Sequence, residues 1–460
     1  MTATALILAA GEGTRMKSDK PKVAHEVLGV PMIRYVVDAA RSAGCERIVV
    51  VTGHRAEAVE PLVEDATCVR QYQQLGTGHA VAMAREALAG VTGSLVILSG
   101  DTPLMSAETI AGLVAMRESA GAAVTVLTTR MPDPTGYGRI VRDRDGAVAA
   151  IVEEKDATPD QRRIDEVNTG TYCFDAAVLF AHLDRLGTSN AQGEYYLTDM
   201  IELLNSEGLI VSASSTDDPL ETLGVNTRGQ LAEAGKVLQR RINTRLMLEG
   251  VSMTDPDLVW VGPDVTVARD VELLPMTTLL GATRIGRGAV VGPNTRVIDS
   301  LIGENALVDS SVVIGTEVGP GASVGPVSYL RPGTVLEAGS KAGACVEIKN
   351  SRIGEGSKVP HLSYIGDATI GRDVNVGAGS ITCNYDGVAK HRTEIDDEAF
   401  IGSDTMLVAP VRIGKGAVTG AGSAISDDVP DDALAVERSD MRVLPGWALA
   451  RRRKSASTEP

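Results

Sequence analysis

From about residue 250 onward, aliphatic side chains return every six positions, usually with a Gly close behind. One run has Ile285, Val291 and Val297; another has Ile302, Val308 and Ile314; a third has Val318, Val324, Leu330 and Leu336. Ile353, Val359 and Ile365 follow, then Ile370 and Val376, then Ile395, Ile401, Leu407 and Ile413. A six-residue period fits neither a helix nor the two-residue alternation of an ordinary strand. It is the hexapeptide signature of a parallel β-helix, in which three hexapeptides make one triangular coil and each aliphatic residue points inward. The stacked coils share one core and a long repeat ladder. One stretch, CNYDGVAKHRTE at 383–394, breaks the period and is predicted to project as a loop.

Composition agrees with stacked β structure: 49 Gly and only 3% aromatics. Lys and Arg number 44 against 60 Asp and Glu, a net charge of −16. That excludes a general binder of nucleic acid or anionic membrane, while leaving room for local phosphate sites. The five Cys (45, 68, 173, 345 and 383) are odd in number, widely spaced and without a CxxC pair. A disulfide framework or structural zinc is not expected, and a reducing cytoplasm fits. The apolar first ten residues lack a basic start and run into GEGTR, so neither a signal peptide nor a membrane anchor is expected. The basic run 451–454 sits in a polar end, and 451–460 is predicted to be disordered.

The first half has a different grammar. ALILAA (5–10), RIVVVTG (47–53), SLVILSGD (94–101) and AVTVLTT (123–129) read as buried strands separated by helical patterns. They predict a mainly parallel α/β sheet covered on both faces. Residues 23–43 read as a helix interrupted near Gly29–Pro31. Residues 226–249 read as one polar connecting helix with Asn243 and Arg245 exposed. The expected domains are 1–225, a helical linker 226–250, a β-helix 251–440 and a tail 441–460.

The first strand ends in LAAGEGTRMKSDKPK (8–22). Gly11 and Gly13 let the backbone approach an anion, and Arg15 and Lys22 add positive charge. The loop lacks the GxxxxGK[ST] spacing of a Walker A motif. LAAGxGTRM followed by PK resembles the nucleotidyltransferases that join a nucleoside triphosphate to a sugar 1-phosphate. QQLGTGHA (73–80), SGDTPL (99–104), PTGYGRI (134–140), VEEKDA (152–157), VNTG (167–170) and GVNTR (224–228) resemble their base, sugar and metal segments. With the β-helix behind it, the chain from about 5 to 440 resembles the bacterial bifunctional N-acetylglucosamine-1-phosphate uridylyltransferase/glucosamine-1-phosphate N-acetyltransferase family.

That resemblance implies a Rossmann-like domain followed by a left-handed β-helix, and two activities. The second half would acetylate glucosamine 1-phosphate with acetyl-CoA. The first would then transfer UMP from UTP, releasing pyrophosphate and supplying UDP-N-acetylglucosamine for cell-envelope polysaccharides. By resemblance Asp101 and Asn226 hold Mg²⁺, and Arg15 and Lys22 face the phosphates. Leu8, Ala9, Ala10, Gly11, Gln71, Gly76, Thr77, Ser99 and Gly100 would surround the nucleotide, and Gly138, Glu153 and Asn168 the N-acetyl sugar. Ser99 stands where some relatives carry Tyr. The nucleophile is already an anion, so positioning and electrostatics would carry this step.

In the second half RPG (331–333), VEIKNS (346–351), VPHLSYIGD (359–367), NVGAGSI (375–381) and CNYDG (383–387) resemble the acetyltransferase site. An amine attacking a thioester must lose a proton, and His is the side chain whose ordinary pKa suits that task. His361 is the expected base, with Glu347 orienting the imidazole or stabilising its charge. Arg331 and Lys349 would meet the sugar phosphate. Tyr364 and Asn375 would bind the sugar, and Asn384 and Tyr385 the reacting acetyl group. Ala378, Ser403, Ala421 and Arg438 would contact acetyl-CoA. The family implies a homotrimer with this site between subunits. Trp447, in VLPGWALA, is predicted to pack on the β-helix or a neighbouring subunit. Two alternatives stay open: a single-activity nucleotidyltransferase with an inert β-helix, and a non-enzymatic scaffold.

Overall fold

Alternation along the first strand, Ala3–Ala9, puts Leu6 into one apolar cluster and Ala5 and Ile7 into another. The sheet it belongs to is therefore covered on both faces. The computed structural model describes residues 3–456, and the chain divides into two units, Met1–Ile242 and Asn243–Pro460.

In the first unit the sheet runs in the order Val211–Ser215, Val124–Arg130, Glu166–Asp175, Ser94–Ser99, Ala3–Ala9, Cys45–Thr52, Thr67–Arg70. Neighbours are parallel except for Glu166–Asp175, which is antiparallel to both of its own. A hairpin, Arg139–Arg142 with Val148–Val152, extends the sheet beside Val167. The first strand lies parallel to Ser94–Ser99, so Ala9 and Ser99 open at the same edge. Ligands of open parallel sheets bind beyond such carboxyl ends.

The interrupted helix predicted over 23–43 begins only at Met32 and ends at Ser42. Before it lie a short turn, Lys22–Ala24, and a two-stranded hairpin. Leu28 and Gly29 both take positive φ, 50° and 82°. That conformation closes a tight hairpin and cannot continue a helix.

The second unit is a parallel β-helix. Three sheets of eleven, ten and nine short strands form its faces among the described residues. Nearly every residue of the six-residue series is buried inside it. Ile314 is the exception: Val313 is fully buried, pairs with Val297 and Leu330, and takes the inward position. Ser310, at φ 43°, closes the preceding corner in one residue fewer, so the series advances a step early. Asp299, Asn350 and Asp367 take positive φ at other shortened corners. The predicted loop leaves the solenoid after Ile381–Cys383 and returns at Thr393.

Helix Arg228–Leu248 carries the chain from one unit to the next. Arg245 is exposed, but Asn243 is buried. Its Nδ2 donates to the carbonyls of Pro256 and Val259, both at 2.8 Å, where the chain turns into the first coil. The tail also departs from expectation: Trp447–Ala456 is a helix. Ala, Leu and Arg are strong helix formers, and their propensity outweighs the polar character of the run. The expectation for 457–460 lies outside the described residues. Trp447 does not bury itself on its own chain; it is 55% exposed, with the Arg451 guanidinium 5.4 Å over its ring. Among the described residues no helix is long and apolar enough to cross a membrane.

Candidate active sites

A cleft opens at the carboxyl edge of the first unit's sheet. Leu8, Ala9, Ala10 and Gly11 line it together with Gln71, Gly76 and Thr77. Lys22, Ser99 and Asp101 line it as well. Gln74, Ala80 and Glu194 also line it, and sequence reasoning did not single them out. Gly76 sits at φ 106°, where an added Cβ would come within 2.6 Å of the Tyr195 carbonyl oxygen, so only Gly fits. Thr77 opens helix Thr77–Met83, and its hydroxyl accepts the Leu197 N–H at 3.0 Å.

Lys22 is held from behind. Gly13 has φ 64°, and a Cβ there would stand 2.6 Å from Lys22 Cβ. The Lys22 ammonium donates to Asp101 Oδ2 and, at 2.9 Å, to Asn226 Oδ1. Asn226 is fixed by the helix that follows it. Gln230 Oε1 accepts the N–H groups of Asn226 and Thr227, at 2.9 and 3.1 Å, and Thr227 Oγ1 accepts the Gln230 N–H at 3.2 Å. This is a capping box. The Val225 N–H bonds the Asp101 carbonyl, tying the two segments together.

The sugar-segment residues form their own cluster. A Cβ on Gly138 would lie 3.5 Å from both Asn168 Cβ and Glu153 Oε1. Burial pushes the Glu153 carboxyl up, against a hydrogen bond from the Thr198 hydroxyl at 3.2 Å. Asn168 Nδ2 donates to the buried Tyr172 hydroxyl at 2.7 Å. Tyr137, also unassigned from sequence, precedes Gly138: burial, and then the Asp101 charge, push its phenol up. Two expected nucleotide residues stand apart. Arg15 is exposed, with no hydrogen bond or ion pair among the described residues. Gly100 is buried and spends its N–H on the Leu8 carbonyl, joining two strand ends.

In the second unit His361 ends strand Lys358–His361 and is exposed at a corner. Lys358 in that strand pairs with Asn375 one coil on. Glu347 lies beside Tyr364 on another face. Its carboxylate accepts from Arg331 Nη1 at 2.9 Å, and no hydrogen bond reaches the His361 imidazole among the described residues. The expectation that Glu347 orients this imidazole is therefore not met within the chain. Arginine offers a fixed fork to a carboxylate one coil away, and it claims the partner.

Beneath the loop, Asp367 accepts from Asn350 Nδ2 at 2.6 Å and Asn384 Nδ2 at 2.5 Å. Burial pushes the Asp367 carboxyl up, but those hydrogen bonds and the nearby Lys349 and Lys390 charges outweigh it, and the net shift is downward. Lys390 comes from the loop; its side-chain contact with Lys349, and then the like charge, lower its ammonium pKa. Neither Asp367 nor Lys390 was assigned from sequence. The signal for Lys390 was its place in the period-breaking loop. Asp386 shapes that loop by accepting from the Val388 and Ala389 N–H groups, at 2.8 and 2.7 Å, and it pairs with His391. Tyr385 is exposed, its hydroxyl donating to the Gly387 carbonyl.

Ala378, Ser403, Ala421 and Arg438 fall on successive coils. The Ala378 carbonyl accepts from the Asp404 N–H, the Ser403 carbonyl from Gly422, and the Ala421 carbonyl from Arg438 Nη1 at 3.2 Å. They make one column along a corner, with the ladder spacing of neighbouring strands.

Comparison with known proteins agrees with both halves. Residues 5–165 match the MobA-like NTP transferase domain. The bifunctional protein GlmU of Heliobacterium modesticaldum is 52% identical over 454 residues, covering 98% of this chain and 99% of its own. That of Thermobifida fusca is 51% identical over 458 residues, covering 98% and 95%. That of Carboxydothermus hydrogenoformans is 52% identical over 435 residues, covering 94% and 97%. With half of all positions shared across nearly the whole length of both chains, this protein belongs to the bifunctional GlmU family, a uridylyltransferase and an acetyltransferase on one chain.

Proposed function

We propose that the two sites divide the work as follows. In the β-helix, acetyl-CoA lies along the column Ala378, Ser403, Ala421 and Arg438, where small side chains leave room for an extended pantetheine arm. Arg331, Lys349 and Lys390 hold the phosphate of glucosamine 1-phosphate, with Tyr364 and Asn375 on its hydroxyls. The amine attacks the thioester carbonyl carbon, His361 takes the amine proton, and the C–S bond breaks to release CoA thiolate. Asn384 and Tyr385 stand beside the acetyl group, and Glu347 fixes Arg331.

In the first unit a phosphate oxygen of N-acetylglucosamine 1-phosphate attacks the α-phosphorus of UTP, and pyrophosphate leaves. Lys22 and Arg15 offset the charge that builds on the leaving group. Gly138, Glu153 and Asn168 hold the sugar. Leu8 to Gly11, Gln71, Gly76 and Thr77 hold the nucleotide, with Ser99 at its edge and Gly100 bracing the strand ends. Asp101 and Asn226 suit a divalent cation, Mg²⁺ by preference, because a carboxylate and an amide oxygen already converge on a positive charge there. Such an ion, when bound, supplies further positive charge to phosphate oxygens as the P–O bond breaks. That convergence, at the cleft, is the observation that carries the reading.

A homotrimer is part of the same proposal. Met441, Val443, Leu444, Trp447 and Leu449 are all more than half exposed on one arm beyond the last coil, and a second copy of this chain would cover them.

The deciding experiment is thiol release from acetyl-CoA with glucosamine 1-phosphate and no UTP, run with unaltered protein and His361→Ala. Sugar-dependent release that collapses in the variant supports the second site and its base. Absence of release from folded protein leaves a uridylyltransferase with an inert β-helix.

A further inference from the structure

Gln71 is 4% exposed, yet among the described residues its side chain makes two hydrogen bonds, both through Nε2. One goes to the Gly76 carbonyl at 3.3 Å, the other to Nδ1 of His79 at 2.9 Å. A carbonyl oxygen can only accept, so the atom facing Gly76 must be the amide NH₂. His79 Nδ1 must then accept as well, which places the ring proton on Nε2. That nitrogen has no protein partner among the described residues. The ring also borders a second cleft, with Leu75, Leu186 and Tyr195, where water can take the Nε2–H. With both Nε2 protons committed, Gln71 Oε1 is left as an acceptor in the nucleotide cleft that Gln71 lines. The Gly76 carbonyl is held in place, because it also accepts the Ala80 N–H at 3.1 Å.

We propose that His79 is a positioning residue for base selection: it locks the Gln71 amide with its oxygen toward the nucleotide, so the cleft takes a base whose ring N–H donates and rejects one whose ring nitrogen accepts. Uracil carries such a donor at N3. Cytosine carries an acceptor at the same place, and against Oε1 the two lone pairs would repel. An inverted amide is costly because its oxygen would face the Gly76 carbonyl oxygen, and His79 could meet it only by moving its ring proton to Nδ1. The inference rests on the uridylyl-transfer reading of this cleft.

The test compares kcat/KM for UTP and CTP with saturating N-acetylglucosamine 1-phosphate, using full-length protein. His79→Ala removes the acceptor, and His79→Asn restores one near the position of Nδ1. The Ala variant is expected to lose about tenfold in its preference for UTP, the size of one hydrogen bond. The loss falls mainly in KM for UTP, with kcat and acetyl transfer nearly unchanged, and Asn recovers most of it. Should the Ala variant unfold, His79→Leu fills the space without an acceptor and replaces it. An unchanged UTP:CTP ratio, or an equal loss with both nucleotides, overturns the role of His79. Unaltered protein that acetylates but does not use UTP would remove the uridylyl reading itself, a distinct result.

Discussion

Lys22 and Asn226 meet across 204 residues of sequence, the ammonium nitrogen 2.9 Å from the amide oxygen. Asp101 completes the group from a third segment. All three arrive on turns held from behind: Lys22 by Gly13, Asn226 by a capping box, Asp101 by the Val225 N–H. Lys22→Ala should therefore cut uridylyl transfer by about a hundredfold or more, the usual cost of one aimed cation or donor in a closed site. Acetyl transfer should be unaffected. Pyrophosphate release and thiol release, measured on the same preparation, separate the two. Asp101→Asn should instead raise the divalent-metal concentration needed for half-maximal uridylyl transfer, by at least about tenfold.

Gly13 offers a subtler probe of the same group. An Ala there must hold a left-handed conformation, at about 1–2 kcal/mol, and its methyl would press on Lys22. Gly13→Ala should lower thermal stability slightly and uridylyl transfer markedly, keeping the Lys22 side chain but displacing it. Equal kcat in the variant and the unaltered protein would show that the position of Lys22 does not matter.

What the chain shows by itself follows from where the information lies. The six-residue period is local and repeated, so the β-helix and its projecting loop are legible. The misplacement of Ile314 has the same origin: a period assumes equal corners, and Ser310 shortens one. Asn243 was misread because helix polarity does not reveal which carbonyls the next turn leaves unsatisfied. At the sites, residue types pointed to phosphate and amine chemistry, but partners are three-dimensional. Nothing in VEIKNS says that Glu347 bonds Arg331, and nothing in YIGD says that Asp367 gathers two asparagines. The column from Ala378 to Arg438 is invisible as composition, because small corner residues occur throughout the solenoid. It emerges only when the coils are stacked.

Arg139 is almost fully buried, and its guanidinium bonds the Tyr137 carbonyl and Glu154 Oε2, the latter at 2.7 Å. Glu154 in turn accepts the Gly136 N–H at 3.3 Å, so the pair buckles the turn that carries Gly138. Arg139→Met leaves a carboxylate facing a partly buried gap. It should destabilise the first unit by about 1–3 kcal/mol and raise KM for N-acetylglucosamine 1-phosphate more than KM for UTP. Urea unfolding and substrate titrations check both. Arg139→Lys should recover little, since one ammonium cannot reach a carbonyl and a carboxylate in the same fork.

Asp367 makes the second site sensitive to acid. Its carboxyl is held below the ordinary range because hydrogen bonds from Asn350 and Asn384, with Lys349 and Lys390 nearby, outweigh the upward push of burial. A carboxylate with a lowered folded pKa stabilises the fold fully above its unfolded value, about 3.9. That stabilisation is lost as pH falls through the folded value. Thermal melts of the unaltered protein should therefore lose this contribution below about pH 4. Asp367→Asn has no charge to lose, so its melting temperature should be lower at pH 7 by a shift worth about 1–3 kcal/mol. The gap should close as the pH falls. Acetyl transfer at pH 7 should drop in the same variant, because an amide has one acceptor oxygen and cannot fix both Asn350 and Asn384, while uridylyl transfer stays constant. A gap between the two proteins that does not narrow in acid would mean that Asp367 contributes through shape and not through charge.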